Sequence, residues 1–280
     1  PLHRLPAGIP WIYSNHCVSN FEYFIDPNDP VPRRWLKRMV AWCSKSLAMA
    51  RAAAEVLDSR ENEARLRAWF PFTRQRLHTI YHSGLTGPVP TPSFRAPATT
   101  IGNLGHIGRR KGQADLYAAF LALRPKYPDL RLILMGDDGT DRDAADIRAD
   151  VARRGLGDVV RIPGGSPDTS AFWREVDVYV QPSHYEGMPM ALVEAFWHGK
   201  PCVATRVSGI PEVLTDGEEG VLCEPARPEA LAAALTRLLD DAPMRERLGR
   251  AAQRSVETRG LTREHMVARH VALYEQVAEC

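Results

Sequence analysis

From residue 99 onward, short apolar runs alternate with amphipathic stretches. Thr99–Ile101, Leu130–Met135 (LRLILM), Val159–Ile162, Val176–Gln181 (VDVYVQ), Pro201–Ala204 and Val221–Cys223 predict strands. Between them, five stretches predict helices: Gly112–Arg124, Asp143–Arg154, Thr169–Glu175, Pro189–His198 and Pro228–Leu239. The first carries Leu116, Ala119, Phe120 and Leu123 on one face, and Pro189 stands at a favoured first helical position. Strand and helix alternating at this spacing imply a parallel sheet with helices on both faces. In such sheets ligands collect at the carboxyl ends of the strands.

Ahead of this region lies Gly84–Ala98, GLTGPVPTPSFRAPA, with prolines at 88, 90, 92 and 97. Proline at that density is incompatible with a helix interior or a central strand, so the stretch is expected to be a linker. Further upstream, Trp11–Ser14, Ala54–Asp58 and His78–His82 predict strands, and Val31–Ala50 predicts a helix. These elements make the back half of an α/β domain without its opening βαβ units. The expected organisation is a partial domain over 1–83, a linker over 84–98 and a complete domain over 99–260. A closing helix over 261–280 is expected to pack back toward the first domain.

Composition narrows the class. The 280 residues include 44% hydrophobic and 25% charged residues, as in an ordinary globular chain. No apolar run approaches the ~18 residues of a membrane span, and the opening PLHRLPAGIP has no apolar core of a secretory signal. The cysteines at 17, 43, 202, 223 and 280 are odd in number and lack C-x-x-C spacing. That argues against a disulfide scaffold or a zinc cluster, and for a reducing, cytoplasmic setting. Residues 1–98 carry 13 Lys/Arg against 7 Asp/Glu, whereas 99–280 carry 23 against 27. The asymmetry suggests two units with different partners, but it is too mild for a nucleic-acid partner.

The densest chemistry is Glu186-Gly187-Met188-Pro189-Met190-Ala191-Leu192-Val193-Glu194, directly after a predicted strand. Eight steps of ~100° leave the two glutamates ~80° off a common helix face. Glu186 is therefore expected in the strand-to-helix loop and Glu194 inside the helix, both looking into one crevice. Residues 188–191 would present helix N-terminal N–H groups to an anion. Further along come Gly199-Lys200-Pro201, Ser208-Gly209-Ile210-Pro211-Glu212 and Gly217 to Gly220 before Val221-Leu222; Lys111-Gly112 follows Ile101-Gly102. With this set, the sequence resembles the retaining glycosyltransferases of the GT-B type (group 1, family 4), strongly over its last two thirds and weakly over the first.

The resemblance implies an α/β fold of two Rossmann-like domains facing a cleft, the first incomplete at its N-terminus. It implies transfer of a sugar from a nucleotide diphosphate sugar, such as a UDP- or GDP-sugar, to an acceptor hydroxyl with retained anomeric configuration. No cofactor or metal is implied beyond the donor substrate. Glu194 would hold the ribose hydroxyls, Glu186 the donor sugar, and Gly187, Met188, Pro189 and Met190 the sugar and phosphate. Lys111 would neutralise the leaving diphosphate. Asn103 and Gly105 would also lie at the donor; Asn103 stands where the family usually has an Arg on the diphosphate, leaving Arg110 (or Arg109), in the loop from Gly105 to Lys111, to supply that charge. His16, after the first strand, would face the donor sugar or the leaving oxygen; alternatively it is a surface or capping histidine.

The acceptor (glycan, lipid-linked or small molecule) is unspecified, and the setting is glycoconjugate biosynthesis. Val31–Lys45 interleaves Trp35, Leu36, Met39, Val40 and Trp42 with Arg33, Arg34, Lys37 and Arg38. It is either a helix packed on its own domain or a peripheral foot on the anionic inner face of a membrane. Two other readings stand beside the transferase: a truncated nucleotide-sugar-binding protein without activity, and a nucleotide-sugar epimerase of the same architecture.

Overall fold

A computed structural model describes residues 12–15, 39, 40, 43, 52–71 and 76–279. His16 lies outside them. So does most of the stretch 31–45, of which Met39, Val40 and Cys43 are described as helical and exposed. The chain divides into two units: Ser83–Thr262 forms one, and the residues before it join Arg263–Cys280 in the other.

In the first unit, strands β1 (Ile12–Asn15), β2 (Ala54–Leu57) and β3 (Leu77–Thr79) form a parallel sheet in that order. All four residues of β2 are buried, because side chains on both of its faces are covered. Leu57 packs with Leu66 and Phe70 at helix α1 (Arg60–Trp69) and with Leu77. On the opposite side Ala54 and Val56 cluster with Ile80 and Leu273. Ser59 caps α1 by accepting from the Asn62 N–H at 3.3 Å.

The second unit holds six parallel strands: β4 (Thr100–Leu104), β5 (Arg131–Met135), β6 (Val160–Gly164), β7 (Val178–Gln181), β8 (Cys202–Thr205) and β9 (Gly220–Cys223). Their spatial order is β6-β5-β4-β7-β8-β9. Helices α2 (Gln113–Leu123), α3 (Asp143–Arg154), α4 (Ser170–Glu175), α5 (Met190–Trp197), α6 (Ile210–Val213), α7 (Pro228–Asp240) and α8 (Ala242–Thr258) connect and cover them. The last helix, α9 (Arg263–Ala278), brings Leu273 to the first unit's core. A continuous core joins Leu116, Phe120, Leu132, Leu134, Val178, Val203 and Leu235. Most boundaries lie within two residues of the sequence expectations, and α3 spans the predicted residues. Helix α8 was not anticipated, although Asp241 caps it by accepting from the Met244 N–H at 2.8 Å.

The proline-rich segment is fastened to the second unit. Gln253 Nε2 donates to Pro90 O at 2.8 Å, and Arg245 Nη2 donates to Arg95 O at 2.9 Å. Arg95 in turn reaches Arg174 O, Glu175 O and the Asp177 carboxylate. Asp177, 6% exposed, also accepts from the N–H groups of Thr99 and Thr100 at 2.8 and 3.0 Å, which fixes how the chain enters β4. Asp177→Ala strands two N–H groups, that of Thr100 buried and that of Thr99 partly so, and one guanidinium. It is expected to cost about 3 kcal/mol in urea unfolding; a loss below about 0.5 kcal/mol would show that this carboxylate does not hold the entry to β4.

Candidate functional site

Strand order reverses between β4 and β7, and the loops leaving their carboxyl ends are Gly105–Gly112 and Pro182–Pro189. Several contacts lock the two loops together. The His184 N–H donates to Arg110 O at 2.9 Å, and His184 Nε2 lies 2.6 Å from Asp115 Oδ2 in the first turn of α2. Gly112 adopts φ +70° at the start of α2, and a Cβ there would collide with the Pro182 carbonyl. Only glycine combines that conformation with so close an approach.

Glu186 lies in the β7–α5 loop and is 5% exposed. Its Oε2 accepts from Lys111 Nζ at 2.7 Å and from Gln181 Nε2 and Ser183 Oγ, both at 3.1 Å. A buried carboxylate without such donors would be prohibitively costly; here three donors converge on one oxygen, and Oε1 has no partner among the described residues. A buried network backs these donors. Tyr179 Oη donates to Gln181 Oε1 at 2.5 Å, and Thr205 Oγ1 to Ser183 O at 2.5 Å. Burial raises the Tyr179 hydroxyl well above the usual tyrosine range, so it remains a donor.

Glu194 lies inside α5 and is held from another direction. Its Oε1 accepts from Thr169 Oγ1 at 2.6 Å and Trp173 Nε1 at 2.7 Å, whereas Oε2 has no partner among the described residues. The Trp173 ring stacks on His198, with centroids 5.2 Å apart, and its neighbours Phe172 and Tyr179 complete an aromatic box. Burial and then Lys200 lower the His198 imidazole to about 4, so it is neutral at ordinary pH. Each glutamate of the pair thus has one oxygen anchored and the other left over.

Beyond the ends of β4, β5 and β6 lies a cavity of about 470 Å³ lined by Gly105, His106, Gly136, Asp137, Gly165 and Ser166, among others. Its three loops are stitched to one another. Gly105 N–H donates to Met135 O, Ile107 N–H to Asp137 O, and Gly165 N–H to the Asp137 carboxylate. The wall at Gly165–Pro167 runs directly on to Thr169, which holds Glu194.

Residues 93–255 match the family described as glycosyl transferases group 1. The chain belongs to that family. A D-inositol 3-phosphate glycosyltransferase from Paenarthrobacter aurescens (strain TC1) is 28% identical over 275 residues, covering 91% of this chain and 65% of the relative. The chain thus spans about two thirds of that relative's length. Among solved structures, sucrose-phosphate synthase from Thermosynechococcus elongatus superposes with a TM-score of 0.79 at 23% identity, over 99% of this chain and 70% of the other. Anabaena Alr3699/HepE in complex with UDP and glucose gives 0.73 at 21%, over 97% and 72%. The fold class is that of these GT-B proteins.

Within this group 1 chain, Glu186, Lys111, Gly187 and Met188 come together at the β4/β7 switch point, and Glu194 follows inside α5. Gly105 lines the cavity. Three expectations need correction. Asn103, expected at the donor, is 1% exposed and spent internally: its Nδ2 donates to Val180 O at 2.8 Å and its Oδ1 accepts from Gln113 at 2.9 Å. Pro189 precedes α5 rather than opening it, its carbonyl accepting from Leu192 and Val193. The Met190 N–H donates to Met188 O at 2.9 Å and is not offered outward. Arg110 stands exposed on the 3₁₀ turn Arg109–Lys111, without a side-chain partner among the described residues.

Sequence reasoning missed Gln113, Thr169, Trp173, Gln181 and Ser183. Gln181 carried a readable signal, since it is the polar last residue of an otherwise apolar strand. The lock between the loops is open to test. Gly112→Ala is expected to cost about 1–2 kcal/mol for the left-handed backbone alone, more through the collision with Pro182, and to lower the melting temperature. An unchanged melting temperature would mean that the two loops are not held at this point.

Proposed function

We propose that this chain carries the donor half of a glycosyltransferase that moves a sugar from a nucleotide diphosphate sugar to an acceptor hydroxyl, with retention and without a metal. The observation that carries the reading is the paired arrangement of Glu186 and Glu194: one oxygen of each is fixed by protein donors and one is unengaged, beside Lys111 at the switch point. Carboxylates so held accept hydrogen bonds from vicinal hydroxyls, and a sugar nucleotide offers two sets, one on the ribose and one on the hexose. Glu194 takes the ribose, whose base extends toward the cavity at Gly105 and Gly165, and Glu186 takes the transferred sugar. UDP is the first nucleotide to try, because a structural neighbour holds it.

The chemistry is leaving-group stabilisation. As the glycosidic bond breaks, negative charge grows on the diphosphate, and preorganised cations act most strongly on that transition state. Lys111 supplies the nearest cation and Arg110 a second from the same turn. With that charge in place, a divalent metal is not required. The acceptor hydroxyl enters on the face the diphosphate leaves, passes its proton to the departing phosphate oxygen, and preserves the anomeric configuration with no protein nucleophile. His16 remains the proposed contact from the first unit, and a contact of residues 31–45 with an anionic membrane remains an expectation.

Thermal melting against UDP, GDP, ADP and their sugars tests the reading, with Glu194→Ala as control. A nucleotide at 100 times its dissociation constant raises stability by ~2.7 kcal/mol. The expected result is a shift with one nucleotide that is abolished in the variant and persists in EDTA. No shift with any nucleotide overturns the donor site, and a shift that EDTA removes overturns metal independence. A shift without turnover on any acceptor supports the inactive binding protein instead.

A further inference from the structure

The grip on Glu194 comes from a single stretch of chain, Gly165–Trp173, which also walls the cavity. Thr169 immediately precedes α4 and Trp173 lies within it, and both donate to the same carboxylate oxygen at 2.6 and 2.7 Å. Trp173 is 1% exposed, and its indole is wedged among Phe172, Tyr179 and His198. Rings packed on several sides cannot change rotamer, so the direction of the Nε1–H is set by the core. A glutamate on a helix otherwise has three rotatable bonds and would sample several orientations.

From this geometry we infer that Trp173, seconded by Thr169, is a positioning residue. It aims the unengaged Oε2 of Glu194 at the ribose hydroxyls and so sets the discrimination between ribonucleotides and deoxyribonucleotides. The inference rests on the proposed donor site and adds to it the residues that give Glu194 its direction. The His198 ring supports it, because it stacks on the indole and fixes that face of the ring.

The experiment compares binding of UDP, 2′-deoxy-UDP and 3′-deoxy-UDP by calorimetry, with GDP and its deoxy analogues if melting selects guanine. The proteins are the full chain and its Glu194→Ala, Trp173→Phe and Thr169→Val variants. The wild type is expected to prefer the ribonucleotide by about tenfold over one or both deoxy analogues, and Glu194→Ala to erase that preference. Trp173→Phe keeps most of the ring volume and removes the N–H. It is expected to lose most of the preference while binding the deoxy analogues nearly as the wild type does, and Thr169→Val should shift the same way by less. Equal weakening toward all three ligands would overturn the inference and leave Trp173 as packing alone. A preference retained in Trp173→Phe but lost in Glu194→Ala would overturn it too, with the donor site standing. If Glu194→Ala binds UDP as the wild type does, or no nucleotide binds at all, the donor site itself falls and the inference with it. Should Trp173→Phe fail to fold, Thr169→Val carries the comparison, since it deletes a donor at constant shape.

Discussion

A buried negative charge organises this half of the molecule. Glu186 is sequestered at the carboxyl end of β7, where desolvation would raise the free energy by several kcal/mol if the charge were left unmatched. Matching it requires Lys111, which arrives from the loop after β4, and that requirement propagates. Lys111 can reach only if the turn Arg109–Lys111 lies against residues 182–186, and the turn can lie there only with glycine at 112. Gly112 then starts α2 so that Gln113 faces back, donating to Asn103 Oδ1 and His106 O and accepting from the Gly108 N–H. The whole post-β4 loop is thereby tied to one carboxylate.

The second carboxylate follows a different logic. Glu194 is half-buried, and its donors are a hydroxyl and an indole with no formal charge. Two neutral donors compensate less than a lysine does, so more of the Glu194 charge is left for whatever approaches. Glu186 is the quieter of the two: its oxygen is already satisfied by an ammonium and two neutral donors. One nearly neutralised carboxylate and one with excess charge would give the two ends of the proposed donor different receptors, the transferred sugar at Glu186 and the ribose at Glu194, with the diphosphate between them.

Much of this was legible in the sequence because the controlling signals are local. The alternation of apolar runs gave the strands of the second unit to within two residues or so, and the spacing of Glu186 and Glu194 by itself separated a loop position from a helical one. What could not be read is what depends on distant partners. The family resemblance puts Asn103 at the donor, and only Val180 and Gln113 reveal that it is a tie inside the core. Trp173 lies 21 residues before the glutamate it holds, on a helix of six residues, too short for periodicity to assign a buried face. Helix α8 was a different failure, because its signals were present: an Asp cap, an early proline, and Leu248, Ala252 and Val256 at four-residue spacing.

The burial of Asn103 bears on where positive charge can come from. An arginine at that position would have to desolvate a guanidinium beneath the β4–α2 loop or push the loop outward. An amide instead closes the gap between β4 and β7 with one donor and one acceptor. The cation is thereby moved from the strand to the turn that follows, where Arg109 and Arg110 extend into solvent and Lys111 points inward. A solvent-exposed guanidinium is free of desolvation cost before a ligand arrives, and its attraction strengthens when the ligand excludes water. The trade would be preorganisation for adaptability: Lys111 is already oriented by Glu186, whereas in the proposed complex Arg110 would be ordered by the ligand, at the cost of its own side-chain entropy. Under the proposed donor chemistry, charge stabilisation would rest on one fixed cation and one recruited cation, and the fixed one is held by the same carboxylate that ties the two loops together.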